Sequence, residues 1–196
     1  KMNRVLIVTV MLLMSACGSV KTKSTAGADS QDQMLQTTGA AATESQDQLL
    51  LATLWFQKSA EMRALCYQCF TSAENALLKN LATAQGDKTP AVVLDIDETV
   101  LDNSPFQGWQ VLENKSFNDE SWTRWVELAR AGALPGAVEF TRFADSLGVE
   151  VFYVSNRRTT DLAPTIENLK RFGFPGADSS HVLLKESASS KVERRS

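Results

Sequence analysis

Apolar residues recur at threes and fours from about Gln46 to Ala84. Leu50, Leu54, Met62, Leu65, Cys69, Ala73, Ala76 and Leu77 mark one face, with no proline or glycine before Gly86. That spacing predicts helix. The sequence GDKTP then breaks the pattern, and Ala91 to Ile96 form a short, nearly continuous apolar run with adjacent valines. Such a run suits a strand buried on both faces. From Asn103 to about Asn118 no period holds, and a loop-rich region is expected before a helix over Glu120 to Ala131. Pro135 then opens another helix that Gly148 closes, Val149 to Val154 read as a second strand, and Ala163 to Phe172 as a helix stopped by Gly173. His181 to Leu184 complete a third short strand. Strands alternating with helices predict a parallel α/β sheet with flanking helices, preceded by a helical segment and interrupted by a small insertion after the first strand.

The chain begins differently. Lys1 and Arg4 precede an apolar run from Val5 to Met14, and small residues lead to Cys17. The run is shorter than the roughly 20 residues a membrane span needs and has the proportions of an export signal. Met14-Ser15-Ala16-Cys17 resembles the lipobox of bacterial lipoproteins, in which the cysteine is lipidated and becomes the new N-terminus. The alternative is a buried N-terminal strand or helix. Residues 18–46, rich in Ser, Thr, Ala, Gly and Gln, carry too little apolar surface to repay ordering and read as a flexible tether. The expected organisation is a signal peptide over 1–17, a linker over 18–46 and one catalytic domain over 47–196, lipid-anchored at the bacterial outer membrane.

Composition removes several classes of function. An apolar content of 43% supports a packed core, and a net charge of −3 argues against a nucleic-acid surface. The lone histidine, His181, excludes a zinc site built on imidazoles and a phosphatase needing two histidines. Cys66 and Cys69 form CYQC within the helical pattern. A redox CxxC usually opens a helix after a strand, so core packing is the expected role, with a labile disulfide as the alternative.

In parallel α/β sheets, ligands bind beyond the carboxyl ends of the strands. Here those ends carry DIDET, SNR and KESASSK. Acids as closely spaced as Asp95, Asp97, Glu98 and Asp102 repel one another unless a cation or hydrogen-bond donors compensate. A phosphate ester with a divalent ion supplies that compensation. Asp95 would attack phosphorus, and Asp97 would protonate the leaving oxygen and then deprotonate water. Ser155 would hold phosphoryl oxygens and a lysine would neutralise charge. Lys185 and Lys191 compete for that role, and spacing does not choose. Glu98 and Asp102 are expected as capping or solvent-facing groups, and Arg157 and Arg158 as phosphate contacts or surface ion pairs.

DIDETVLDNSPFQGW, PGAVEF, VFYVSNRR and LLKESASSK together resemble the class C acid phosphatases, bacterial lipoproteins of the haloacid dehalogenase superfamily, from about Leu50 onward. The resemblance implies a Rossmann-like parallel sheet and phosphomonoesterase activity, often on nucleoside monophosphates. It implies Asp95 as nucleophile, Asp97 as acid/base, Ser155 and Lys191 as catalytic partners, and Mg2+ bound by the Asp95 carboxylate and the Asp97 carbonyl. Thr99, Asn156, Phe106 and Trp122 are the expected substrate contacts. The aromatic insertion, with Phe106, Trp109, Phe117, Trp122 and Trp125, would stack on a base or nicotinamide ring, core packing being the alternative for each. The family's further GDN motif occurs nowhere in the sequence, so the chain is expected to be a fragment lacking the last strand or strands and a metal carboxylate. The expected partners are a small phosphate monoester and a membrane reached through the lipid on Cys17, with no nucleic-acid polymer and with a homodimer left open. A non-catalytic surface lipoprotein and a phosphotransferase remain as rivals.

Overall fold

The computed structural model describes residues 9–10, 47–84, 89–187, 189–192 and 194. Its centre is a parallel sheet in the order β1 (Thr9–Val10), β2 (Ala91–Leu94), β5 (Glu150–Arg158), β6 (Val182–Lys185). Every residue of β2 is buried, as its unbroken apolar run requires. Its register places Ala91 beside Glu150 and Leu94 beside Tyr153, while Tyr153 and Val154 lie beside Val182 and Leu183. β2, β5 and β6 therefore end on one side of the molecule, where their tips can share a site.

Thr9–Val10 falls inside the expected export leader and pairs in parallel with Val93–Leu94. Cys17 and the tether over 18–46 lie outside the described residues. Among the described residues, no helix is long and apolar enough to cross a membrane.

The expected single helix over 46–84 is two. Residues 47–58 are helical (α1), and α2 runs over Ala60–Thr83. Ser59 stands between them in extended conformation and caps α2 by accepting the Met62 N–H at 2.9 Å. The buried face of α2, Met62, Cys66, Phe70, Ala73 and Leu77, joins α5 (Ala137–Ser146) in the core, where the Phe70 and Phe140 rings lie 5.6 Å apart. Cys66 is buried with its thiol against the Met62 sulfur, and neither cysteine is bonded to another. Burial pushes the Cys66 thiol pKa up, which suits an inert core residue.

Two elements depart from expectation in the insertion. The region read as loop contains helix α3 (Ser104–Leu112), started by Pro105 at a position where a missing N–H costs nothing. Gly108 misleads a reading by composition; it lies in the helix close to Thr53 and Gln57 of α1. The helix expected over 120–131 is α4 (Asp119–Glu127), capped by the Asn118 side chain on the Ser121 N–H. Between its end and α5, Gly132–Ala133 (β4) pairs antiparallel with Leu101–Asp102 (β3). This short ladder closes the base of the insertion. The last helix, α6 (Leu162–Phe172), ends at Gly173 with φ +71°, a left-handed cap that glycine adopts without strain.

Candidate active site

Asp95 follows the last residue of β2, and the chain coils tightly after it. The Ile96 carbonyl accepts N–H groups from Thr99, Val100 and Leu101, and Glu98 takes φ +54°. A non-glycine residue in that region is held there by its surroundings. The coil sends successive acids in different directions.

Asp95 keeps its carboxylate at the open sheet edge, 41% exposed. Its Oδ1 accepts the Ile96 N–H at 2.8 Å, and its Oδ2 lies 2.5 Å from Lys191 Nζ. Of the two lysines between which spacing did not choose, Lys191 is the one beside Asp95. Lys185 instead ends β6, in register with Arg158.

Asp97 turns the other way. Its Oδ1 accepts Arg157 Nη2 at 2.8 Å, Arg157 Nε at 3.0 Å and Asn103 Nδ2 at 3.0 Å, while its Oδ2 accepts Ser155 Oγ at 3.1 Å and Nε at 3.3 Å. The Arg157 side chain is 1% exposed, and its Nη1 reaches Thr165 of α6 at 3.1 Å. The expectation of a phosphate contact or surface pair therefore needs correction for Arg157: it is a buried partner of Asp97. Arg158, one residue on, points outward to the exposed Asp119 and is the surface pair. Strand alternation separates the two.

Glu98 accepts the Asn103 N–H at 3.1 Å, and its pKa is pushed up to about 7, first by burial and then by the negative charge of Asp97. Asp102 accepts the Ser104 N–H at 2.8 Å at the start of α3. Both behave as the expected local capping groups.

Ser155 is fully buried at the tip of β5. Its hydroxyl donates to Asp97 and accepts the Arg157 N–H at 3.1 Å. Asn156 is exposed and accepts from Arg194 at 2.8 Å. Thr99 is buried in the coil. Phe106, expected as a substrate contact, is 4% exposed and forms the hub of the aromatic cluster, within 5.3–6.4 Å of Trp109, Phe117, Trp122 and Trp125. It packs the insertion together, while Trp109 and Phe117 are the exposed members of the cluster. Trp122 lies between Phe106 and the Arg157 guanidinium, whose carbon stands 5.8 Å from the ring centre. His181 precedes β6, at the sheet end opposite the site, and pairs with Asp178 at 2.9 Å.

Sequence reasoning passed over Asn103 and the structural use of Trp125. Asn103 is buried; its amide N–H donates to Asp97 and its oxygen accepts Trp125 Nε1 at 2.9 Å. The sequence DNSP offered a local clue in a polar residue just before a helix start, but its partners lie elsewhere in the fold.

The arrangement also bears on a metal. With the Asp97 side chain engaged by Arg157, Asn103 and Ser155, the carboxylate left open at the site is that of Asp95, 41% exposed. Among the described residues, no cluster of three or more His, Cys, Asp or Glu is placed to hold an ion. A carboxylate is a hard oxygen donor of the kind an oxygen-preferring divalent ion accepts.

The chain is similar to several known proteins. A family model described as HAD superfamily, subfamily IIIB (acid phosphatase), matches residues 9–196. The class C acid phosphatase from Bacillus anthracis is 44% identical with TM-score 0.73, the match covering 76% of this chain and 63% of that one. A second structure of that enzyme, with tungstate bound, matches equally. Acid phosphatase 1 of Solanum lycopersicum is 32% identical over 82 residues, 42% of this chain and 32% of its own length. The Stem 31 kDa glycoprotein of Glycine max is 33% identical over 82 residues, again 42% and 32%. The chain thus spans about a third of the length of these curated relatives.

Proposed function

The chain belongs to subfamily IIIB of the HAD superfamily, the acid phosphatases, and from that premise we propose that it hydrolyses phosphate monoesters through a phosphoryl group carried on Asp95. The observation that carries the reading is the pairing of Asp95 Oδ2 with Lys191 Nζ at 2.5 Å beside a second carboxylate held apart by its own donors. An Asp95 oxygen bonds to phosphorus as the ester P–O bond breaks, and Asp97 gives the leaving oxygen its proton. Asp97 then takes a proton from water as the water oxygen bonds to phosphorus, releasing Asp95 and inorganic phosphate. Lys191 offsets negative charge on Asp95 and the phosphoryl group, and the Ser155 hydroxyl, which donates to Asp97 at 3.1 Å, turns to donate to a phosphoryl oxygen when substrate is bound. Magnesium, held by the Asp95 carboxylate and the Asp97 carbonyl, would polarise the phosphoryl group and offset its charge when bound.

The substrate class we favour carries an aromatic ring, as 5′-nucleotides do. Trp109 and Phe117 present exposed aromatic surface on the insertion, and Trp122 adjoins Arg157, the partner of Asp97. Tungstate, a tetrahedral oxyanion bound by the Bacillus anthracis relative, is consistent with a phosphate pocket. Export and lipid anchoring through Cys17 rest on the basic start, the apolar run and the lipobox-like Met14-Ser15-Ala16-Cys17. Cleavage before Cys17 would remove β1. A magnesium-supplemented assay with p-nitrophenyl phosphate tests the reading. Turnover is expected in the wild type, abolished by EDTA and reduced by roughly 10⁴-fold or more in Asp95→Asn; full activity in that variant would exclude Asp95 as nucleophile.

A further inference from the structure

We propose that Arg157 and Asn103 are positioning residues that clamp Asp97 by Oδ1 and leave Oδ2 as the oxygen exchanging its proton with the leaving group, each arm braced by a tryptophan of α4. The inference rests on the acid/base role given to Asp97 above.

The two oxygens of Asp97 differ in what surrounds them. Oδ1 accepts three N–H groups, two from the Arg157 guanidinium and one from the Asn103 amide. A guanidinium and an amide nitrogen have no acceptor to offer, so a proton placed on Oδ1 would face donors alone. The amide orientation is fixed independently: Trp125 Nε1 is a donor only, so the Asn103 atom it meets at 2.9 Å is the oxygen, and Nδ2 must face Asp97. Oδ2 is different. Its closest partner is the Ser155 hydroxyl at 3.1 Å, which rotates and both donates and accepts. Oδ2 also lies 3.3 Å from Arg157 Nε, the longer branch of a donor shared with Oδ1, but unlike Oδ1 it has in the hydroxyl a partner able to accept its proton. Of the two oxygens, Oδ2 alone lies on the side of Ser155, where the phosphoryl group is expected.

The bracing is equally specific. Trp125 bonds the Asn103 arm, Trp122 lies over the Arg157 arm at 5.8 Å, and Thr165 holds the remaining guanidinium nitrogen. Both tryptophans belong to α4. The insertion thereby orients the group that protonates the leaving oxygen, in addition to any contact with substrate. In the step itself the ester P–O electron pair passes to the leaving oxygen, which takes the proton from Oδ2 and leaves the carboxylate ionised against Arg157.

General-acid positioning has a signature that loss of folding lacks. A 2,4-dinitrophenolate leaves without a proton, whereas an alkoxide needs one. The wild type, Arg157→Met, Arg157→Lys and Trp125→Phe, each as the full chain with magnesium, are compared by kcat/KM on 2,4-dinitrophenyl phosphate and on a nucleoside 5′-phosphate. For Arg157→Met the nucleotide value is expected to fall about 10²-fold or more, the scale of general-acid loss, with the dinitrophenyl ester changed by less than about 3-fold. Arg157→Lys restores the charge without the paired N–H geometry and should fall between. Trp125→Phe keeps a smaller aromatic ring and removes the N–H, so it serves as the folded variant if Arg157→Met does not fold; about a 10-fold loss on the nucleotide alone is expected. Equal losses on both esters in the folded variants, or no loss on either, would overturn the clamp while leaving the phosphatase reading intact. Wild-type protein that hydrolyses neither ester would overturn that reading, and the clamp with it.

Discussion

The tips of β2, β5 and β6 and the insertion between β3 and β4 contribute to one site in opposite ways. The tips and the segment after β6 supply the proposed reacting groups, Asp95, Asp97, Ser155 and Lys191, and Asp95 stands open at 41% exposure. The insertion supplies no charge to the centre. It contributes a buried aromatic hub and two tryptophans whose contacts run back to the partners of Asp97. The side chains of Asp95, Asp97 and Lys191 stay 41%, 23% and 19% exposed, while Ser155 is buried beside Asp97. Orienting groups must be immobile, so theirs are buried and each is met by a partner of the right polarity.

That contrast can be broken first at the hub. Phe106→Ala removes the ring around which Trp109, Phe117, Trp122 and Trp125 gather, and should cost about 3–5 kcal/mol of stability in chemical denaturation. A loss below about 1 kcal/mol would mean that the insertion is not held by this cluster. The tips are sharpened next by Lys191→Met. With the cation beside Asp95 gone, kcat is expected to fall roughly 10²–10³-fold, the scale of losing one electrostatic stabiliser, with the unfolding midpoint little changed. Unaltered kcat would return the role to Lys185. The smallest effect belongs to the outer rim. Asp119→Ala breaks the surface pair with Arg158, whose side chains are 50% and 69% exposed; stability should move by less than about 1 kcal/mol and kcat/KM should not change. Any larger effect on activity would move Arg158 into the site.

Much of the sheet was legible because its signals are local. The unbroken apolar run of β2, the strand ending in SNRR and the glycine at the end of α6 each announce their element within a few residues, and the tip rule then collects the acids, the serine and the lysine. The helix α3 was missed because Gly108 and Pro105 look like loop residues; a proline in the first turn is a start signal, and Gly108 lies against α1. The strands β3 and β4 are two residues each and make sense only as a pair separated by the whole insertion. The clamp is the least legible part. Arg157 and Asp97 stand 60 residues apart, and Trp125 and Asn103 stand 22 apart, with no periodicity linking them. What the sequence did contain was the alternation that turns Arg157 inward and Arg158 outward once β5 is extended past Ser155. The strand was expected to end at Val154 and runs to Arg158.

The account depends most on phosphorus becoming attached to Asp95. Acid quenching of the protein during turnover of a nucleoside 5′-phosphate, followed by borohydride reduction and peptide mass spectrometry, reads that attachment directly, because an acyl phosphate is reduced to the alcohol and a free carboxylate is not. The account predicts homoserine at position 95 and unmodified Asp97. Reduction at Asp97, or none at either residue in protein shown to be turning over, would contradict it.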